Sequence, residues 1–518
     1  MAAIVSRRPG YAAAVSTPSG LLLRNVRRPG GAGPIDVQIR DGRIASMSDG
    51  GGRPGINGTN TPAGSVEQVD ADGAFLVPGL WDSHVHMQQW ALLRERLDVS
   101  AATSAAQVVR MVADRLAERP SPPGGPAHAA LDGFGFRDGL WPDAPTLAAL
   151  DAVAGEVPVI LVSGDVHSAW VNGAGARLLG VHVGADGMIR EGPWFQASRD
   201  YEEAPEHRRE ALVARAAWAA AARGVTGVVD LEMADNVAAW QDRIAAGVDQ
   251  VRVRAGCYPD RLEQTIAAGL RTGAEIEGTD GLLTVGPLKI ISDGALNTRT
   301  AHCRHAYPDG GHGVQEWSGA QLVELVTRAH TAGLATTIHA IGDRANTIAL
   351  DAFAAAGVGG RIEHAQLVEA SDVPRFAALG VTASVQPEHL IDDRDVADVY
   401  WPGRTADAFP LASLARAGAR IRFGSDAPVS PLDPWLGIAA AVARTRDGRE
   451  PWGPEQRIGP ALALACAADG RTGVRVSDVA DLVLVGADPL TADATSTLRR
   501  MPVLATMLGG RFTHRDGI

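Results

Sequence analysis

"SGAQLVELVTRAHTAGLATTIHA" (residues 318–340) reads as a helix that runs directly into a buried strand. Ser318 stands where an N-cap is needed, Leu322, Leu325, Val326 and Ala329 recur on one helical face, and Gly333 closes the helix. The apolar run that follows, 334–340, suits a strand covered on both sides. Repetition of this unit decides the fold. Further short apolar runs lie at 76–87, 224–232, 251–258, 286–293, 361–366, 381–386 and 419–427, with helical patterns between most of them. Eight buried strands alternating with helices predict an α/β fold built on a (β/α)₈ TIM barrel.

Outside that middle region the pattern changes. Residues 20–48 alternate apolar and polar positions and turn at Gly-Pro and Asp-Gly, as short antiparallel strands do, and 49–65 reads as a loop. Strand patterns return at 479–490 and 502–512, so both termini are expected to contribute to one small sheet domain. The interval between the first and second barrel strands is too long for a single helix. It carries "HAALDGFGF" (128–136) and "VPVILVSGD" (157–165), and is read as an insertion beside the barrel mouth. The expected division is 1–76 and 469–518 for the terminal sheet domain and 77–468 for the barrel, with the insertion at about 125–222.

Bulk composition narrows the function. A chain of 518 residues, 46% hydrophobic and 21% charged, has a sizeable core. Its net charge of −12 and lack of a basic run argue against a nucleic-acid partner. No stretch is long and uncharged enough to span a membrane. The three cysteines, Cys257, Cys303 and Cys466, form no CxxC pair and fit a reducing cytoplasm better than a disulfide framework. The first 20 residues contain an Arg pair but no apolar core region, and read as a loose tail rather than a signal peptide. A small-molecule substrate is the expected partner, and a homodimer is left open.

The chemistry gathers at the predicted strand ends. "DSHVHM" (82–87) sets His84 and His86 two residues apart, hence on one face of a strand. An HxH pair alone is equally well two packed histidines. But His339, His364 and Asp426 also fall at strand ends, and a barrel collects such residues around one mouth. Together they point to a metal site. Lys289, in "GPLKIISDGAL" (286–296), is the only lysine among 48 basic residues. An ordinary ion pair, for instance with Asp293, would suit arginine as well. A neutral amine, however, can add carbon dioxide to give a carbamate, which guanidinium does not readily do. Carbamylated Lys289 would bridge two divalent cations.

With these residues in view, "LVPGLWDSHVHM", "LKIISDGALNTRTA", "IHAIGDRA", "RIEHAQ", "SVQPEHL", "FGSDAPVSPLDPW" and "ADLVLVGADPL" resemble amidohydrolase family 3, which includes N-substituted formamide deformylases. The likeness runs from about residue 20 to the C-terminus. It implies a distorted barrel with a composite β-sandwich and two divalent metal ions, usually zinc. By position it implies His84 and His86 on the first metal with Asp426, His339 and His364 on the second, and carbamylated Lys289 on both. "DVHSAWVN" (165–172) resembles an insertion motif whose histidine, here His167, faces the substrate; Val166 stands where that motif commonly has glycine. The linker before "VSDVADLVLV" is shorter than the family's usual one.

The expected activity is metal-dependent hydrolysis of a carbonyl C–N bond, with Asp426 as ligand and proton shuttle and His167 at the developing oxyanion. Arg299, Arg344 and Trp170 are candidate substrate contacts, and Trp90, Trp194 and Trp401 are candidates for an apolar pocket. His389, His302, His305 and His312 are read as solvated loop histidines, and His330 as structural or exposed. A mononuclear deaminase would share the histidines and Asp426 but has no use for Lys289. A lactonase, esterase or phosphotriesterase would fit the same ligands, and a non-catalytic binding protein would have no need to keep them all.

Overall fold

The 318–340 unit forms as its residues dictate. In a computed structural model, which describes residues 20–49, 66–94, 96–117, 130–201, 206–446 and 448–518, Ser318 caps the helix Gly319–Thr331 and closes a capping box with Gln321. Leu322, Val326 and Ala329 are buried, and Gly333 takes φ 82°, the left-handed turn that ends the helix. Every residue of the strand Thr336–Ala340 is buried, as expected between a barrel interior and its helix layer. The expected terminal tail (1–19) and nearly all of the expected loop at 49–65 lie outside the described residues.

All eight expected barrel strands are present: Leu80–Val85, Val225–Asp230, Arg252–Cys257, Leu283–Ile291, Thr336–Ala340, Arg361–His364, Thr382–Val385 and Arg420–Phe423. They pair in that order. The ring closes through a parallel bridge between Val85 and Ala427, with the Asp426 N–H donating to the His84 carbonyl at 2.7 Å. Gly424 permits this closure, since a Cβ there would lie 2.7 Å from the His84 nitrogen.

Strands from both termini share a second sheet. The antiparallel pairing of Leu482–Val485 with Phe75–Pro78 joins the two chain ends, just ahead of the first barrel strand. Leu23, Val37, Ile39 and Ile44 pack with Leu482, Leu484 and Met507 in one apolar cluster. The composite domain is therefore one continuous sheet around a common core.

The inserted unit has different limits from those expected. Its five-stranded sheet includes Leu97–Asp98 as well as Leu131–Phe136, Val159–Ser163, Ser168–Val171 and Met188–Arg190. The helix Ala105–Ala117 packs Val108 and Val112 against Leu131, Phe136 and Trp170 of that sheet. Conversely, Leu212, Val213 and Ala216 of the helix Glu206–Ala221 pack with Val225 and Val228 of the barrel. The unit thus runs over about 97–200 instead of 125–222. Helical periodicity reports an apolar face but not which sheet covers it. No helix among the described residues is long and apolar enough to cross a membrane.

Candidate metal centre

Parallel register aligns the strand ends. His339 lies opposite Ile291 on one side and Glu363 on the other, with Ala340 opposite His364. Two of the convergent residues leave the strand conformation to do so: His364 has φ 70° and Asp426 has φ 55°. Left-handed backbone at non-glycine residues is strained and tends to mark functional sites.

Around the carboxylate of Asp426 the imidazoles form two groups. Its Oδ1 is 3.1 Å from His84 Nε2 and 3.4 Å from His86 Nε2. Its Oδ2 faces the other way, 3.9 Å from His364 Nε2. The His339 ring lies 4.4 Å from that of His364, centre to centre, with its Nε2 3.3 Å from the Gly294 carbonyl. Lys289 is buried, with Nζ 3.1 Å from His84 Nε2. It forms no pair with Asp293, whose oxygens accept the backbone N–H groups of His302, Ile341 and Gly342. The ion-pair reading of the single lysine thus loses its suggested partner.

Behind the first histidine stands a layer that the sequence reading missed. Glu363 Oε2 is 3.2 Å from His84 Nδ1 and is itself held by Thr337 and Arg361. Gln386 Nε2 lies 3.2 Å from the same Nδ1. A cation on His84 Nε2 requires the ring proton on Nδ1, where Glu363 would accept it. His389 is also missed. It is buried, begins the helix His389–Tyr400, and stacks on His364 with ring centres 5.8 Å apart. The expectation of a solvated loop histidine is corrected: the chain turns into a helix directly after the seventh strand and tucks the ring against the site.

The electrostatics prepare ligand forms. Burial pushes His84, His339 and His364 down from the usual imidazole range, which keeps them neutral. Burial opposes ionisation of Asp426, but its electrostatic interaction with the His84 and His364 rings and the hydrogen bond to His86 outweigh burial and hold the carboxyl well below its usual range. Burial likewise lowers the Lys289 amine, against the pull of Glu363 and Asp426. A depressed amine is the form that can take up carbon dioxide. His364 Nδ1 and His389 Nε2 are buried without hydrogen-bond partners among the described residues. His86 differs: burial would lower it too, but the hydrogen bond and charge of Asp426 outweigh burial and raise it. Three imidazoles held neutral, His86 against an ionised carboxylate, and one neutralisable amine fit divalent cations, which accept such nitrogen and oxygen donors.

The insertion reaches the site through His167. Its Nδ1 bonds Glu191 at 2.9 Å, and its ring centre is 6.3 Å from that of His339. Burial alone would lower its pKa, yet the hydrogen bond and charge of Glu191 outweigh burial and raise it to about 9. Val166 has φ 59°, so the chain needs the left-handed turn that glycine commonly supplies at this motif, and valine bears the strain. The Trp194 indole helps by donating to the Val166 carbonyl at 2.9 Å.

Two spaces flank the centre. A cavity of about 430 Å³ is lined by His167, His339, His364, His389 and Asp426, with Arg137, Asp165, Asp392 and Asp393 beyond them. An open cleft of about 1590 Å³ on the His86 side is walled by Ile160, Val162, Trp194 and Phe195. Three expected substrate contacts line neither of these spaces. Arg299 pairs with Asp309 at 3.1 Å, Arg344 is exposed, and Trp170 is fully buried in the insertion core with its indole donating to Thr146. Among the four flagged tryptophans, Trp194 lines the cleft, whereas Trp401 is a core residue.

Barrel, strand-end histidines and family motifs converge on one assignment. The profile of the amidohydrolase family matches residues 67–514. The chain belongs to that family. It is 28% identical to the protein LONG AFTER FAR-RED 3 of Arabidopsis thaliana, over 92% of this chain and 87% of the relative. To the N-substituted formamide deformylase of Arthrobacter pascens it is 26% identical, over 92% and 95%. An uncharacterised metal-dependent hydrolase from Pyrococcus horikoshii shares the fold, with a TM-score of 0.73 at 24% identity, covering 92% of this chain and 99% of the other. This amidohydrolase is an enzyme whose family acts through divalent metal.

Proposed function

We propose that this amidohydrolase cleaves the carbonyl C–N bond of an N-substituted amide, formamide or related cyclic amide at a binuclear centre, in the cytoplasm. The observation that carries the binuclear reading is Lys289, a lone, buried lysine with its amine 3.1 Å from His84 Nε2. As a carbamate it would join the group of His84 and His86 to that of His339 and His364, with zinc the natural occupant for such ligands. The likeness to a formamide deformylase over nearly the whole chain supports the C–N bond as target.

When bound, the cations supply Lewis-acid polarisation of the carbonyl and a water acidified towards neutrality. Asp426, ionised between the two groups, takes the proton from the attacking water and returns it to the departing amine nitrogen. His167, kept cationic by Glu191, donates to the carbonyl oxygen as charge develops there. A hydrolysis screen of metal-replete enzyme on N-formyl, N-acyl, cyclic amide and lactone substrates tests the reading. Turnover confined to lactones, or to aminohydrolysis with one metal per chain, would replace it with an esterase or a deaminase.

A further inference from the structure

The sequence motifs account for His84, His86, His339 and His364 but leave His389 without a task. The residue is only 6% exposed, and its Nε2 has no hydrogen-bond partner among the described residues. Burying an imidazole nitrogen unpaired costs roughly 1–3 kcal/mol, so the atom calls for a partner that arrives from outside the chain.

Three observations define that partner. Ligand atoms of His364, His389 and Asp426 lie within 4.8 Å of one another, as do those of His84, His86 and Asp426. The ring centres of His364 and His389 are 5.8 Å apart, close to the 5.5 Å of His84 and His86. The two carboxylate oxygens of Asp426 divide between the groups, Oδ1 towards His84 and His86 and Oδ2 towards His364. Two imidazoles on one cation at about 2.1 Å, with a near-tetrahedral to wide angle, hold their ring centres roughly 5–6 Å apart. Both pairs satisfy this spacing.

We infer that His389 is a ligand of the second cation, held with His364 and with Asp426 Oδ2, so that Asp426 contacts both ions. The inference rests on the binuclear reading above. Its position is consistent with the barrel: the seventh strand, Thr382–Val385, ends just before His389, so this residue enters the mouth as the other ligands do. Its backbone N–H is held by the Gln386 carbonyl at 3.0 Å, which fixes the turn that aims the ring.

The test is metal affinity, read without substrate. Wild type, His389→Ala and His389→Asn are stripped with chelator, checked for native circular dichroism, and titrated with Co²⁺ while its visible absorption is recorded. Loss of an outer partner of a ligand typically weakens metal about 10–100-fold. A true ligand should exceed that. The expected result is an intact first equivalent and a second weakened more than about 100-fold in both variants, with the matching part of the cobalt spectrum lost. A second equivalent weakened about 100-fold or less in folded variants overturns the assignment and leaves His389 a substrate-facing group. Wild type binding a single cation would instead sink the binuclear reading itself, so the two failures are distinguishable.

Discussion

Replacing Lys289 by arginine separates the carbamate from an ordinary positive charge. Nζ is 3.1 Å from His84 Nε2, an atom that would itself lie about 2.1 Å from a cation. A charge at the Nζ position therefore sits within roughly 5 Å of the first metal. A fixed +1 and a +2 at that distance repel by roughly 7 kcal/mol at an effective dielectric of about 20. At about 1.4 kcal/mol per tenfold this weakens the metal about 10⁵-fold, and half the energy still leaves more than 10²-fold. Overpacking a side chain that is only 2% exposed adds roughly 1–3 kcal/mol to the damage. The expected result for Lys289→Arg is thus a folded chain nearly devoid of metal and activity, measured by elemental analysis, circular dichroism and turnover. Lys289→Ala should also be inactive, but leaves a gap that acetate or propionate can enter as a substitute bridging carboxylate, restoring part of the activity. If the lysine served only the charges of Glu363 and Asp426, arginine would serve them too. An active, metal-loaded Lys289→Arg enzyme would refute the carbamate and the binuclear site built on it.

Other perturbations isolate single roles. Asp426→Asn keeps an oxygen for the metal but cannot carry a proton, so metal content should largely persist while kcat falls by at least 10²-fold; near-normal turnover would remove Asp426 from proton transfer. His167→Ala should leave metal content unchanged and lower kcat/KM roughly 10²–10³-fold, the loss typical of one oxyanion donor; parallel loss of metal would make His167 a ligand. With its pKa raised to about 9, His167 is cationic below that value, so its contribution to kcat/KM is complete in the neutral range and declines as pH rises through about 9. Glu191→Gln removes the partner that outweighs burial, and should move that alkaline limb towards neutrality; an unmoved limb would assign it to another group. Gly424→Ala places a Cβ 2.7 Å from the His84 nitrogen and 2.8 Å from its Cβ, so His84 must shift and metal binding should weaken sharply without unfolding; wild-type metal affinity would show that the eighth strand yields instead.

What could be read in advance follows from what each pattern encodes. The eight strands were legible because burial on both faces leaves apolar runs of strand length, and their parallel order follows from the intervening helices. The convergence of His84, His86, His339, His364 and Asp426 was legible because a barrel makes a strand's C-terminal end a functional address. The same address rule applies to His389, which follows the strand Thr382–Val385. It was read instead with the loop histidines, which are usually solvated, so the general expectation overrode the better signal. Packing partners were not legible at all. Trp170 and Trp194 both lie in mixed apolar segments, yet one fills the insertion core and the other walls the cleft. Arg299 and Arg344 belong to recognisable motifs, but Arg299 pairs with Asp309 and Arg344 is exposed, which motif membership does not encode. Glu363 is the instructive case. It sits beside His364 in the four-residue strand Arg361–His364 and is fully buried, and a carboxylate inside such a strand is tolerated only where cationic or hydrogen-bonding groups meet it. Reading that charge as a demand for partners would have pointed to the Arg361, Thr337 and His84 groups around it, and with them to the layer behind His84.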